Sequence, residues 1–279
     1  MRITSLLIAV VFLSVTSFGQ DLTSKKGENF LPEEGEWAIG FDAHPFLEYA
    51  GNLFSGGFNN APEANYLNGV NTIYGKMFTS PTEAYRAKVR VGFNSTTNKA
   101  FSTDATDAML TVEDSEKISS TFVGLGAGKE YRRGNTRLQG FYGGEAFLWL
   151  ANSKTSYEYG NALGSSHPFH DQAFGQASGL TEAKSGSTVG VQLRGFIGAE
   201  YFVLPKISIG AEYGWGLTFA STGNGESTTE FFNVADNNVE STTTESAGGS
   251  SVSLDTDINN SMPVSGVLGD MSLKAMFHF

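Results

Sequence analysis

The chain contains no cysteine, and beyond its first twenty residues it has no apolar run long enough for a membrane-crossing helix. Without cysteine there is no disulfide framework, no N-terminal lipidation site and no thiolate zinc centre. Without a second hydrophobic run of roughly 20 residues, a helical membrane protein is excluded on length. Charged residues are also scarce, at 17% of 279 residues, and the formal net charge of −11 argues against nucleic acid as a partner.

What is present is glycine and aromatic side chain: 34 glycines and 13% Phe, Trp and Tyr. That composition favours strands and turns over helices. At the N-terminus Arg2 precedes an apolar stretch, Leu6 to Leu13, and then Ser17-Phe18-Gly19. A basic residue, a short apolar core and small residues at the cleavage positions predict a signal peptide over 1–19, cut before Gln20. Residues 20–35 then form a periplasmic N-terminal segment, and residues 36–279 one domain.

Within that domain apolar and polar side chains alternate in eight stretches, the period of a strand with two different faces. Trp37, Ile39 and Phe41 oppose Asp42 and His44 in the first, over about 36–46. The second, about 70–79, has Ile73 and Met77 against Tyr74 and Lys76 and leaves the facing open. The third sets Tyr85, Val89, Val91 and Phe93 against Arg86, Lys88 and Arg90. Strands are expected likewise over about 117–131, 136–150, 188–203, 206–219 and 267–279. The last alternates through Leu273, Ala275, Phe277 and Phe279.

Connections fall into two kinds that alternate along the chain. Ser80-Pro81-Thr82, Arg132-Arg133-Gly134-Asn135 and Leu204-Pro205 read as tight turns. Residues 47–69, 96–115, 151–187 and 220–266 read as long polar loops, with net charges of −2, −3, −1 and −7. The acidity of the chain therefore belongs to these loops. The fourth, with no Lys or Arg, is expected to be mobile in isolation.

Strand-like alternation in eight stretches, tight turns alternating with long loops, a signal peptide and a terminal phenylalanine resemble the small eight-stranded outer-membrane barrels, the class of OmpX, OmpW and the transmembrane part of OmpA. The resemblance spans about Glu36 to Phe279. It implies an all-β, antiparallel up-and-down transmembrane barrel with short periplasmic turns and long extracellular loops. It further implies that Leu273, Ala275, Phe277 and Phe279 form the signal read by the barrel-assembly machinery, which is then a partner during biogenesis alongside outer-membrane lipid. Unlike in OmpA, no peptidoglycan-binding domain is expected after the last strand.

If the apolar faces meet lipid, Asp42, His44, Arg86, Lys88, Arg90, Arg137, Glu145, Arg194, Glu200, Glu212, Asp270 and Lys274 converge on a narrow interior. There they are expected to pair in a buried network, because an unpaired ion in such a space costs several kcal/mol. Trp37, Tyr131, Tyr201, Trp215 and Phe219 are expected as aromatic girdles at the two lipid interfaces. The four histidines, His44, His167, His170 and His278, lack the nearby serine that an acyl-transferring barrel would use, so no catalytic residue is assigned and no enzyme is expected. His167-Pro168-Phe169-His170-Asp171 and Asp255-Thr256-Asp257-Ile258-Asn259 carry metal-ligating types. The second lacks the glycine and glutamate of a calcium loop, the first has no strand to fix it, and both are read as solvated loop. No metal or cofactor is assigned.

The functional expectation is a filled barrel whose acidic outer loops act in surface interaction or envelope integrity, with an unknown extracellular partner. The alternative is an OmpW-like conduit for small hydrophobic or ionic solutes, and a third reading is a soluble secreted β protein. Deleting Phe279 is expected to abolish membrane assembly while export continues. Fractionation of envelope from periplasm checks this, and normal insertion of the shortened chain would contradict the assembly role.

Overall fold

A computed structural model describes residues 22–42, 72–256 and 272–279, excluding the side chains of Asp42, Asp255, Thr256 and Ser272. All regular structure among the described residues is strand, and every pairing is antiparallel. Eight strands close into a ring: β1 (Trp37–Asp42), β2 (Ile73–Ser80), β3 (Glu83–Thr103), β4 (Thr111–Arg133), β5 (Leu138–Glu158), β7 (Thr188–Leu204), β8 (Ile207–Thr222) and β12 (Ser272–His278). Each pairs with the next, and β12 returns to β1 with Phe277 opposite Ile39 and Ala275 opposite Phe41. At the seam, Trp37 and Phe279 exchange two backbone hydrogen bonds of 2.9 Å. The ring therefore has no free edge at that level.

Four further strands, β6 (Leu180–Lys184), β9 (Gly225–Asn233), β10 (Asn238–Ser246) and β11 (Gly249–Thr256), continue strand lines already in the ring. β6 extends β7 along β5, β9 extends β8 along β6, and β10 and β11 stand beside β9 and β8. β11 and β12 share one line against β8, because Thr256 faces Trp215 while Ser272 faces Glu212. The lines break side by side at 185–187, 223–224 and 247–248. There an added Cβ at Gly186 or Gly248 would strike the backbone of Gly223 or Thr222.

These strands correct the reading of the long connections. Residues 96–115 are mostly the paired ends of β3 and β4, in register out to Thr103 opposite Thr111, and only residues 104–110 turn. The 220–256 stretch, read as part of a long polar loop mobile in isolation, carries β9, β10 and β11. Among the described residues strand makes up most of 96–115 and of 220–256, whereas 151–187 holds strand only over 151–158 and 180–184. The first long connection, over 47–69, the rest of the fourth, and the signal segment all lie outside the described residues.

Alternation decides the two faces of the ring. Lys76, Arg86, Lys88, Glu130, Glu145, Arg194, Glu200, Glu212 and Lys274 are buried inside it, while Ile39, Val89, Leu125, Leu148, Leu193, Ile197 and Trp215 are exposed outside. The open facing of β2 resolves with Tyr74, Lys76 and Phe78 inward and Ile73 outward.

The interior has room for large groups because glycines stand beside them on neighbouring strands. A methyl group at Gly198 would collide with the Phe141 ring and the Ala211 carbonyl, at Gly190 with Trp149, at Gly143 with Phe196, and at Gly214 with the Arg194 guanidinium. Much of the glycine content is thus the small partner in a small-against-large packing of inward faces. Gly75 is different, since its nearest neighbour would be the Ala87 Cβ at 3.8 Å. Gly198→Ala is expected to cost about 1–3 kcal/mol of stability and Gly75→Ala less than about 0.5 kcal/mol. Urea midpoints of the folded form in detergent measure both.

Candidate functional site

The interior charges form one connected cluster in two tiers, to which seven of the eight ring strands contribute an ionisable side chain. In the tier nearer the tight turns, Glu130 of β4 and Glu200 of β7 share Lys76, each at 3.0 Å. They also share Arg132, at 2.9 and 2.7 Å. The Nε and Nη2 atoms of Arg132 find no hydrogen-bond partner among the described residues. Its guanidinium is flanked by the rings of Phe78 and Phe202, at 5.4 and 5.6 Å. Such stacking satisfies a guanidinium face where water is excluded.

In the second tier, Glu212 of β8 meets Arg86 at 2.8 Å, Lys274 at 2.7 Å and Arg194. Glu145 of β5 meets Arg194 at 2.9 Å, Arg86 at 3.6 Å and Lys88. Arg86 ties the tiers together, reaching Glu130 at 3.8 Å and lying over the Phe196 ring at 3.9 Å. Tyr74 receives Lys274 over its ring at 4.3 Å and Lys88 at 5.7 Å. Four carboxylates thus bind six cations among the described residues, each carboxylate touching more than one. Replacing one acid strands several buried cations at once.

Of the residues expected inside, Arg86, Lys88, Glu145, Arg194, Glu200, Glu212 and Lys274 are brought together. Arg90 stands apart, half-buried with its guanidinium 4.8 Å above Phe122, which in turn stacks on Trp149. Arg137 is elsewhere, over the ring of Phe30 at 3.5 Å, where the N-terminal segment crosses the tight-turn end of the ring. Asp270, His44 and the side chain of Asp42 lie outside the described residues. Lys76, Glu130 and Arg132 are members that the sequence reading did not assign. Arg132 was placed in a turn, yet β4 runs to Arg133 and Arg132 is its last inward residue.

Ser208, His278 and Glu200 approach one another at the tight-turn end. Ser208 Oγ lies 2.9 Å from His278 Nε2, and the same nitrogen lies 3.5 Å from Glu200. A catalytic relay needs the two imidazole nitrogens to serve serine and acid separately. Here one nitrogen serves both, Nδ1 has no partner among the described residues, and all three side chains are buried. The geometry is that of packing.

Outside the ring the expected girdle residues are all on the outer face. Trp37, Tyr131, Trp215 and Phe219 are exposed and Tyr201 is half-buried. Tyr131 stacks on Tyr142 at 5.6 Å and carries Lys129 above its ring at 4.9 Å. On β12, Phe277 and Phe279 are exposed while Leu273 and Ala275 are half-buried.

The His167–Asp171 segment, read as solvated loop without a strand to fix it, is held against β9. Phe169 bridges Phe231, and Phe232 donates its backbone N–H to Pro168 O at 2.9 Å. His170 lies flat on Tyr159, centroids 4.0 Å apart, and burial keeps its pKa below the ordinary histidine value. Among the described residues no group of three or more His, Asp or Glu is placed to hold a metal ion.

No protein-family model matches the chain, and no curated protein matches it either.

Glu212→Ala is expected to destabilise the fold by about 3–5 kcal/mol, because Arg86, Arg194 and Lys274 lose a shared partner in a buried space. Lys99→Ala, which breaks an exposed pair with Glu113 at 2.6 Å, is expected to cost less than about 1 kcal/mol. Denaturant titration of both variants measures the difference.

Proposed function

We propose that the chain is an integral outer-membrane β-barrel of the small eight-stranded kind, its interior filled by its own side chains, acting through acidic outer loops in surface interaction or envelope integrity. The observation that carries this reading is the inversion of the two faces. Ten charged residues from seven strands are buried inside the ring, while large apolar side chains cover its outer face. A water-soluble protein rarely leaves so large an apolar surface uncovered. Hydrocarbon covers it at no cost, and a closed ring leaves no backbone group unpaired there.

The dimensions agree. On β5 the outward apolar positions run from Leu138 to Leu150. Twelve steps at about 3.3 Å, tilted by about 40°, span about 30 Å, close to a bilayer's hydrocarbon thickness. Tyr131, Tyr142 and Lys129 at one margin are the side chains that favour a lipid–water interface. With this orientation the three tight turns face the periplasm, the extended strands project outside, and β12 carries the outward Phe277 and Phe279 that the assembly machinery would read. The N-terminal run over 1–19 would direct export.

The two-tier cluster favours a plug over a conduit. Conduction would require at least one shared carboxylate to release its cations into a space already filled by rings and ion pairs. The folded protein is expected to show a heat-dependent gel shift in detergent and no reproducible channels in planar bilayers. A mature chain that stays soluble without detergent would sink the membrane assignment. Channels abolished by neutralising Arg86, Arg90, Glu200 or Glu212 would establish a conduit instead.

A further inference from the structure

The far ends of the extended strands carry apolar side chains that the fold does not use. Above the apolar belt the outer face turns polar, through Ser95, Ser119, Lys154, Lys184, Glu226 and Glu245 in one cross-strand row and Thr97, Lys117, Ser156, Glu182, Thr228 and Thr243 in the next. The tips do not continue that pattern. At the β3–β4 tip Met109 is 94% exposed, Phe101 73% and Leu110 56%; at the β9–β10 tip and beside it Val234 is 61% exposed and Phe169 54%.

The β3–β4 tip is held in shape. Asp104 Oδ1 accepts from Thr106 N at 2.7 Å and Thr106 Oγ1 at 2.6 Å, Asp107 Oδ1 accepts from Met109 N at 2.9 Å, and Asp104 N donates to Leu110 O at 3.0 Å. Asn161 clasps it from the side, accepting from Ala105 N at 2.9 Å and donating to Thr103 O at 2.8 Å. Both tip carboxylates are thus turned back onto the backbone, so the main chain that presents Met109 is already ordered.

We infer that the two hairpin tips are membrane-contacting knobs that insert Met109, Leu110 and Val234 into the surface of an apposed zwitterionic bilayer. The inference rests on the outer-membrane reading, for which it names a partner. Each tip exposes only a few apolar side chains, whereas a stable protein partner would need about 800 Å² of complementary surface on each side. A fluid bilayer needs no such fit, only apolar side chains that reach below its headgroups. Charge sets the composition. Asp104 and Asp107 at one tip, where Glu113 is already paired with Lys99, and Asp236 and Glu240 at the other repel anionic headgroups and tolerate choline.

The test uses the full mature chain in lipid nanodiscs, so that the apolar belt is already covered, mixed with phosphatidylcholine vesicles and floated on a density gradient. Failure to form nanodiscs would overturn the outer-membrane reading, and the tip assignment with it. Co-flotation is expected with pure phosphatidylcholine and is expected to weaken when a quarter of the lipid is phosphatidylglycerol. The pair Met109→Asp and Val234→Asp should reduce vesicle binding about tenfold or more. Because both side chains are exposed, the heat-dependent gel shift should not change. Absence of flotation, flotation unchanged in the double variant, or tighter binding to the anionic vesicles would each overturn the assignment.

Discussion

Ionised side chains must be satisfied wherever they are placed, and in this molecule they are placed inside the ring. Glu130, Glu145, Glu200 and Glu212 are each shared between cations from different strands. This makes the cluster a set of cross-braces over the hollow of the ring. A lone ion pair in such a place would about break even against its desolvation. A carboxylate serving three cations is harder to replace, because its loss leaves several charges unmet together. The same placement leaves the outer face apolar over the belt of the ring, with the exposed Lys129–Glu83 pair at its tight-turn margin.

Space is the second half of that constraint. A ring of eight strands has an interior only wide enough for side chains, and long inward groups on adjacent strands cannot all occupy it. The glycines settle where each one goes. Arg194 lies over Gly214, Phe141 over Gly198 and Trp149 over Gly190, so each large group is directed across a neighbour that offers only backbone. Ion pairing and packing are therefore one arrangement: Phe196 receives Arg86, and Phe78 and Phe202 receive Arg132.

How far this could be read from the chain depended on contrast between faces. In β3, β7 and β8, valine, leucine and isoleucine alternate with arginine, lysine and glutamate, and both the strands and their inward residues were legible. In β2 the inward residues are Tyr74, Lys76 and Phe78, two of them aromatic, so period two gave no facing and Lys76 was not assigned. Arg132 was hidden by its neighbours, since Arg-Arg-Gly-Asn has the chemistry of a turn and only the third dimension shows Glu200 waiting opposite. Beyond the ring, strands such as Asn238–Ser246 meet water on both faces, so nothing alternates and a paired strand looks like loop. The His167–Asp171 segment failed for a related reason: its support is Phe231, sixty residues away in the chain.

The breaks at 185–187, 223–224 and 247–248 mark where one regime gives way to the other. Below them each strand has neighbours on both sides and must follow the curvature of a closed ring. Above them β6, β9 and β10 form an open sheet with a free margin among the described residues, which has no such curvature to keep. A strand that passes from one to the other must change its twist, and an extra residue opposite the partner strand is the usual device. Three residues, 185–187, stand against two in β5, 152–153, which is such an insertion. The backbones then come close enough that Gly186 and Gly248 have no room for a side chain. Closure below and openness above thus follow from where the chain places its glycines, and the polar sheet above can hold its hairpin tips away from the ring without sharing its charges.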